Sequence, residues 1–266
     1  MSFKVLRQTL LDKWKSIGLV TSLFFVFMAY YTALYPSTAS MTTASINEML
    51  ENPAIKVLLG NVHWDNSFES YLSVKGLIFM GLISGGFAGW LAAGFLSGEV
   101  DHKTIDLLLA QPIVRTRLVL TRYAALIVTV IIMMAAMLAG TVIAVKALDI
   151  ATSIPWLVYT LVYMGMMTLA FGAIALFISA LMSDGRRAAL TSLGVLVLMY
   201  FMETVGAVVN LLGPVRYLSL FHYAPYNEML ITRTLSLANL GVLLAVAIVF
   251  VALAVYVFRR RDIMVA

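Results

Sequence analysis

Residues 238–258 read ANLGVLLAVAIVFVALAVYVF and contain no charged residue. A transmembrane helix needs about 20 apolar residues to cross the hydrocarbon core of a bilayer, and this stretch is long enough. Because the bilayer core offers no water to backbone polar groups, a segment that crosses it alone has to form a helix. The stretch therefore predicts a membrane-spanning helix.

Five other segments repeat this pattern. The six predicted spans are 17–35, 76–97, 118–145, 155–182, 188–212 and 238–258. Of the 266 residues, 62% are apolar or aromatic and only 12% are charged, whereas about 25% are charged in a soluble domain. We therefore predict an all-α polytopic membrane protein with one membrane domain over residues 1–266. The composition excludes a soluble enzyme and a nucleic-acid-binding protein.

The basic residues predict the orientation of these spans. Thirteen of the 18 Lys and Arg residues lie in the N-terminal segment, after the second and fourth spans, and at the C-terminus. Cytoplasmic loops collect Lys and Arg, so we expect both termini to be cytoplasmic and the protein to lie in the cell membrane. The chain has no cysteine, which excludes disulfides and thiolate metal sites.

The N-terminal segment, residues 1–16, carries apolar residues at helical spacing with basic residues on the other face. This pattern favours a helix that lies in the inner headgroup layer; the alternative is a solvated basic tail. The apolar region of a signal peptide is about 7–15 residues long, and the first predicted span is longer. We therefore expect this span to remain in the protein.

Two features of the spans point to packing or function. Gly81, Gly85, Gly89 and Ala93 recur every four residues and predict a stripe of close helix packing. Glu203 is the only acidic residue within the six predicted spans. Ionisable residues in membranes often bind protons or ions. A shallow position, from which Glu203 reaches water, is the alternative.

Two longer segments, 36–75 and 213–237, are predicted to lie on the outer side. The second mixes apolar and polar residues and is too interrupted to span the membrane. We expect it to fold against the outer membrane face or to form a re-entrant element. His222 within it is expected to be solvated or hydrogen-bonded.

The sequence carries no catalytic motif and no metal-binding motif. It contains neither GxxxxGK[ST] nor HExxH, and no Lys follows a Gly anywhere in the chain. An ATP-binding phosphate loop and the common metalloprotease helix are therefore excluded, and we expect no catalytic residue and no metal.

The cytoplasmic loop 98–117 reads GEVDHKTIDLLLAQPIVRTR. Asp101 is placed to cap a short helix, which Pro112 ends because proline does not fit a helix interior. Ile105, Leu108 and Leu109 then share one apolar face. Such an exposed ridge favours docking to a separate partner; the alternative is packing on the chain's own helices.

The same loop resembles the signature of ABC transporter permeases of the type-2 exporter class, E-x-[DE]-x-x-T-[IL]-[DE]-x-L-L-A-x-P-x-x-R. The matching residues are Glu99, Asp101, Thr104, Ile105, Asp106, Leu108, Leu109, Ala110, Pro112 and Arg115. Lys103 and Val114 depart from the pattern, which often has Gly and Ser at these positions. The six-span plan and the N-terminal helix also resemble this family.

The resemblance implies a permease homodimer that works with two copies of a separately encoded ABC ATPase. ATP and magnesium would be bound by that ATPase, so the chain itself would hold no cofactor. Residues 99–115 would form the coupling helix, with Glu99 and Arg115 pairing at its ends. A secondary contact would involve Asp184, Arg186 and Arg187, and spans one, two and five would line the substrate path.

Two other functions stay open from the sequence. An ion-coupled secondary transporter would depend on Glu203. A membrane scaffold that tethers an ATPase would share the coupling loop but move no substrate.

Overall fold

The computed structural model describes residues 3–38, 66–101 and 114–260, together with Asn52 and Ile55. Within these ranges the chain is helical and has no strand. Six of its helices are long and apolar enough to cross a membrane. The prediction of an all-α protein with six spans is confirmed.

The described residues form six long helices and several short helical elements. In chain order the elements are α1 (Phe3–Asp12), α2 (Trp14–Thr38), α3 (Phe68–Leu72, a π-helical turn at Ser73–Leu77, then Ile78–Asp101), α4 (Arg115–Ala147), α5 (Ile154–Leu181), α6 (Gly185–Val208), a 3₁₀ helix (Asn210–Leu218), α7 (Tyr226–Thr232) and α8 (Leu237–Arg260).

Helix α5 forms the centre of the bundle and is the most buried of the six spans. Helices α3, α4, α6 and α8 pack around it, while α2 packs along α4. Small residues allow these close approaches, as membrane helix packing requires. Gly140 of α4, for example, lies against the backbone of Phe25 in α2.

Hydroxyl groups connect α3 to α5 inside the bundle. Ser179 Oγ donates to the carbonyl oxygen of Ala93 at 2.6 Å, and the hydroxyl groups of Ser84 and Thr168 lie 3.0 Å apart. All four residues are buried. In an apolar environment such bonds are favourable, because an unpaired polar group there is costly.

Both termini of the described chain lie at the same end of the bundle. Arg122, near the start of α4, contacts Thr9 of α1, and Arg115 contacts the carbonyl oxygens of the last turn of α8. We call this end the terminal end. The end that holds the 3₁₀ helix and α7 is the far end.

Two predicted spans have different bounds in the structure. Helix α3 begins at Phe68 rather than at 76, because Ser67 accepts a hydrogen bond from Ser70 N at 3.1 Å and caps it. Helix α6 ends at Val208 rather than at 212. The residues that follow tighten into the 3₁₀ helix, which turns back and pairs with Glu203 of α6.

Candidate functional site

The predicted coupling loop lies between the last turn of α3 and the first turn of α4. The backbone of α3 is described to Asp101, but the side chains of Glu99 and Asp101 are not. Thr104, Ile105, Asp106, Leu108, Leu109 and Pro112 also lie outside the described residues. The apolar ridge of the coupling loop and the pairing of Glu99 with Arg115 therefore stay predictions.

Arg115 marks the point where this loop enters α4, and it contacts the end of the last helix. Its Nη1 atom donates to the carbonyl oxygens of Phe258 at 3.4 Å and Arg259 at 3.5 Å. The last carbonyls of a helix have no partners within the helix and attract cations. The start of α4 is thus attached to the C-terminal turn of α8.

A buried arginine joins α1 to the same region of α4. Arg122 is 7% exposed, donates to Thr9 Oγ1 at 2.5 Å and lies over the ring of Phe95 at 5.7 Å. Sequence analysis gave Arg122 no role of its own and counted it only among the 13 basic residues of the cytoplasmic side. Its position inside the predicted span 118–145, two turns after Arg115, was the available signal for a buried role.

The predicted secondary contact also lies at the terminal end. Asp184 caps α6 by accepting a hydrogen bond from Arg187 N at 2.9 Å, and that bond is the main reason why the pKa of Asp184 lies below its ordinary value. Arg187 Nε lies 3.2 Å from Asp184 Oδ2. Arg186 and Arg187 are exposed, so this turn presents two cations.

An apolar groove of about 480 Å³ opens midway along the bundle, between α2, α3 and α6. Small-molecule sites in proteins commonly have volumes of about 300–1,000 Å³. The lining is apolar throughout, with one glycine: Val20, Leu23, Phe24, Phe27, Met80, Leu82, Ile83, Gly86, Phe87, Leu193, Leu196 and Val197. These helices correspond to spans one, two and five, which the family resemblance implied for the substrate path; that role stays a prediction.

The small-residue stripe of α3 does not face a single neighbour. Gly81 lies against the Tyr226 hydroxyl of α7, Gly85 against Leu196 of α6, and Gly89 against Phe171 of α5. Ala93 is fully buried. Four residues make slightly more than one turn of a helix, so the stripe winds around α3. It faces first the far-end segment, residues 210–232, then α6 and then α5.

Glu203 lies one to two turns from the end of α6 and is 18% exposed. Arg216 of the 3₁₀ helix donates to Glu203 Oε1 from Nε, at 3.1 Å, and from Nη2. His222 Nδ1 lies 3.4 Å from Glu203 Oε2. The hydrogen bond to Glu203 raises the pKa of Arg216, so Glu203 faces a permanent cation.

This arrangement places Glu203 at the far end, where it joins α6 to the segment that covers that end. Sequence analysis named Glu203 and His222 separately and did not connect either with Arg216. The available signal was the pair of opposite charges Glu203 and Arg216, which lie 13 residues apart in sequence. In the described part of the chain, no cluster of three or more His, Asp or Glu residues is arranged to hold a metal ion.

Comparison with known protein families gives one match that covers almost the whole chain. Residues 6–263 match the family model described as ABC-2 family transporter protein. No curated protein matches the chain significantly.

Proposed function

Since the chain belongs to the ABC-2 family of transporter proteins, we propose that it moves a substrate out of the cell with energy from a separate ABC ATPase. Membership of this family makes the chain a multi-pass membrane protein and a permease component of an ABC transporter, and it implies an ABC ATPase partner. The family match over residues 6–263 is the observation that carries the proposal. Two ATPase copies, a permease homodimer and export are our additions.

The energy source in this proposal lies outside these 266 residues. No Lys follows a Gly in the chain, so the phosphate-binding loop of an ATPase is absent. ATP and magnesium would be bound by the partner, and this chain would hold no cofactor. Its own task would be to convert movement of the ATPase into movement of helices.

Residues 99–115 would be the part that the ATPase moves, with Leu108 and Leu109 inserted into it. The loop is continuous with α3, which is roughly 50 Å long at about 1.5 Å per residue. Along its length α3 borders the groove and reaches Tyr226 of the far-end segment. A tilt of α3 would therefore change the groove and the far end together.

The terminal end would be cytoplasmic in this account, because most of the Lys and Arg residues lie there. Helix α1 would lie in the inner headgroup layer, held to α4 by Arg122. The turn with Arg186 and Arg187 would be a second contact for the ATPase. The far-end segment would then close the outer side of the cell membrane.

A second copy of the chain would cover the open side of the groove. The walls formed by α2 and α6 are peripheral in the described bundle, and both expose large apolar side chains. Two such faces would enclose a path at the interface between copies. This arrangement gives a substrate access to the groove from the bilayer or from the cytoplasmic end.

Affinity purification of the chain from its native membrane tests this proposal. We expect a stoichiometric soluble protein with a phosphate-binding loop to copurify, and Leu108→Asp to remove it. Leu211→Asp is the matched control, because Leu211 is 88% exposed at the far end and would leave the ATPase bound. Copurification that survives Leu108→Asp would contradict the coupling role.

The two alternatives predict different results. An ion-coupled transporter would move its substrate without an ATPase and lose activity in Glu203→Gln. A scaffold would bind the ATPase but show no stimulation of ATP hydrolysis by any substrate. The ion pair of Glu203 with Arg216 favours a structural role for this carboxylate over ion binding.

A further inference from the structure

The groove between α2, α3 and α6 has a lysine near each of its ends. Helix α3 forms its floor, and Lys75, Phe79, Ile83 and Trp90 are exposed on one face of this helix. Of these four residues Ile83 lines the groove, and Lys75 precedes it by eight residues on the exposed side of the same helix. Lys13, at the junction of α1 and α2, lies over the ring of Trp90 at 5.7 Å.

The distances along α3 put these cations close to the two membrane surfaces. Lys75 precedes Ile83 by eight residues, about 12 Å, and Trp90 follows Ile83 by seven residues, about 10 Å. Together they span about 22 Å, which is within the roughly 30 Å of the hydrocarbon core. A lysine at such a depth extends its ammonium group toward the headgroups.

The local structure at Lys75 is also unusual. It lies in the middle of the π-helical turn Ser73–Leu77, and such turns inside α-helices are frequent at functional sites. Among the described residues Lys75 has no hydrogen bond or ion pair to an acidic group. By contrast, Arg216 and Arg233 at the same end both lie near carboxylates.

From this pattern we propose that the groove binds an anionic amphiphile with a single alkyl chain. The chain would lie along the apolar walls, and the negative headgroup would be held by Lys75 at the far end or by Lys13 at the terminal end. The volume of about 480 Å³ favours one alkyl chain over the two chains of a bilayer lipid.

The inference names a substrate class for the proposed exporter and rests on that function. The headgroup would move from Lys13 to Lys75 while the alkyl chain stays in the apolar groove. Neither lysine is needed for ATPase docking in our account. Binding by the chain alone can therefore be measured whether or not an ATPase is found.

The test measures binding of tritiated hexadecyl phosphate to the full chain in nanodiscs of phosphatidylcholine, corrected for empty nanodiscs. Hexadecylphosphocholine, which has the same chain and no net charge, is the matched ligand. We expect hexadecyl phosphate to bind more tightly, and Lys75→Gln to weaken it about fivefold without affecting hexadecylphosphocholine. Lys146→Gln, at an exposed lysine of α4, is the control.

A second variant tests the groove itself. A Cβ atom at Gly86 would lie 3.7 Å from Leu193 Cδ1 and Leu196 Cδ2, so Gly86→Ala should fold and Gly86→Leu should fill the groove. We expect Gly86→Leu to weaken both ligands, whereas Gly241→Leu, with open space around Gly241, leaves them unchanged.

Three results would overturn the inference. They are equal binding of the anionic and the zwitterionic ligand, no effect of either Lys75→Gln or Gly86→Leu on the binding of hexadecyl phosphate, and equal competition by two-chain phosphatidate in the nanodisc. A failure of ATPase copurification would leave these binding results intact, so the two proposals fail separately.

Discussion

Arg216 of the 3₁₀ helix forms an ion pair with Glu203 of α6 and thereby fastens the far-end segment to the bundle. The two side chains are 33% and 18% exposed, respectively. Ser219 Oγ adds a second connection by donating to the carbonyl oxygen of Met199 at 2.7 Å. The segment that follows α6 is therefore attached to α6 at two points, Arg216 and Ser219.

Loss of this ion pair is expected to destabilise the protein. Glu203→Gln removes the charged acceptor of two guanidinium hydrogen bonds and should lower the free energy of unfolding by about 1–2 kcal/mol. Thermal unfolding in detergent measures the effect. Asp149→Asn removes an exposed carboxylate from the same end and should have no effect. An unchanged melting temperature in Glu203→Gln would show that the pair contributes little.

The contact between Gly81 and Tyr226 gives a second prediction. A Cβ atom at residue 81 would overlap the Tyr226 hydroxyl, so Gly81→Ala should cost about 1–3 kcal/mol as overpacking does. Adding Tyr226→Phe removes the hydroxyl and should restore part of the loss. Gly94→Ala on the same helix meets no atom within 4 Å and serves as the control. Equal stability of the Gly81 and Gly94 variants would refute this packing.

The hydrogen bond from Arg122 to Thr9 predicts a role in holding α1. Arg122→Met keeps most of the aliphatic volume but removes the donor. We expect backbone amides of residues 3–12 to exchange hydrogen faster in this variant, with α5 unchanged. Arg117→Met is the control, because Arg117 is exposed on α4, between one and two turns before Arg122. Equal exchange in both variants would mean that α1 is held by its apolar face alone.

The cap at Asp184 predicts a pH dependence with a definite sign. Its pKa is lowered, chiefly by the hydrogen bond from Arg187 N, so the folded state favours the carboxylate. The stabilisation is therefore present above the unfolded pKa of 3.8 and is lost as the pH falls through the lower folded value. The stability difference between wild type and Asp184→Ala should shrink below that pH.

Asp184→Ser provides the control for this titration. Serine also caps helices but does not ionise, so its difference from Asp184→Ala should not vary with pH. A difference between wild type and Asp184→Ala that is constant from neutral to acid pH would mean that the carboxylate charge adds nothing to the cap.

Features that depend on runs of apolar residues were predictable from the sequence. The six spans and the existence of a helix before the first one follow from hydropathy and helical spacing. The start of α3 was missed because Glu69 and Lys75 resemble loop residues in a hydropathy pattern. In the structure Glu69 accepts a hydrogen bond from Thr152 at 3.0 Å, and Lys75 lies on the exposed face.

Features that depend on contacts between distant residues were not predictable. Nothing in a single sequence joins Thr9 to Arg122 or places Tyr226 on Gly81, because each pair is brought together by helix packing. The groove has the same origin. Its walls come from three helices whose apolar residues look alike in sequence, and only their separation leaves space between them.

The most direct test of the account is the rate of ATP hydrolysis by the complex purified through this chain and reconstituted in nanodiscs. We predict that the wild-type complex hydrolyses ATP, that hexadecyl phosphate stimulates it, and that Gly86→Leu abolishes the stimulation while the ATPase stays bound. A chain that purifies without any ATP-hydrolysing partner, yet still transports, would contradict the central claim.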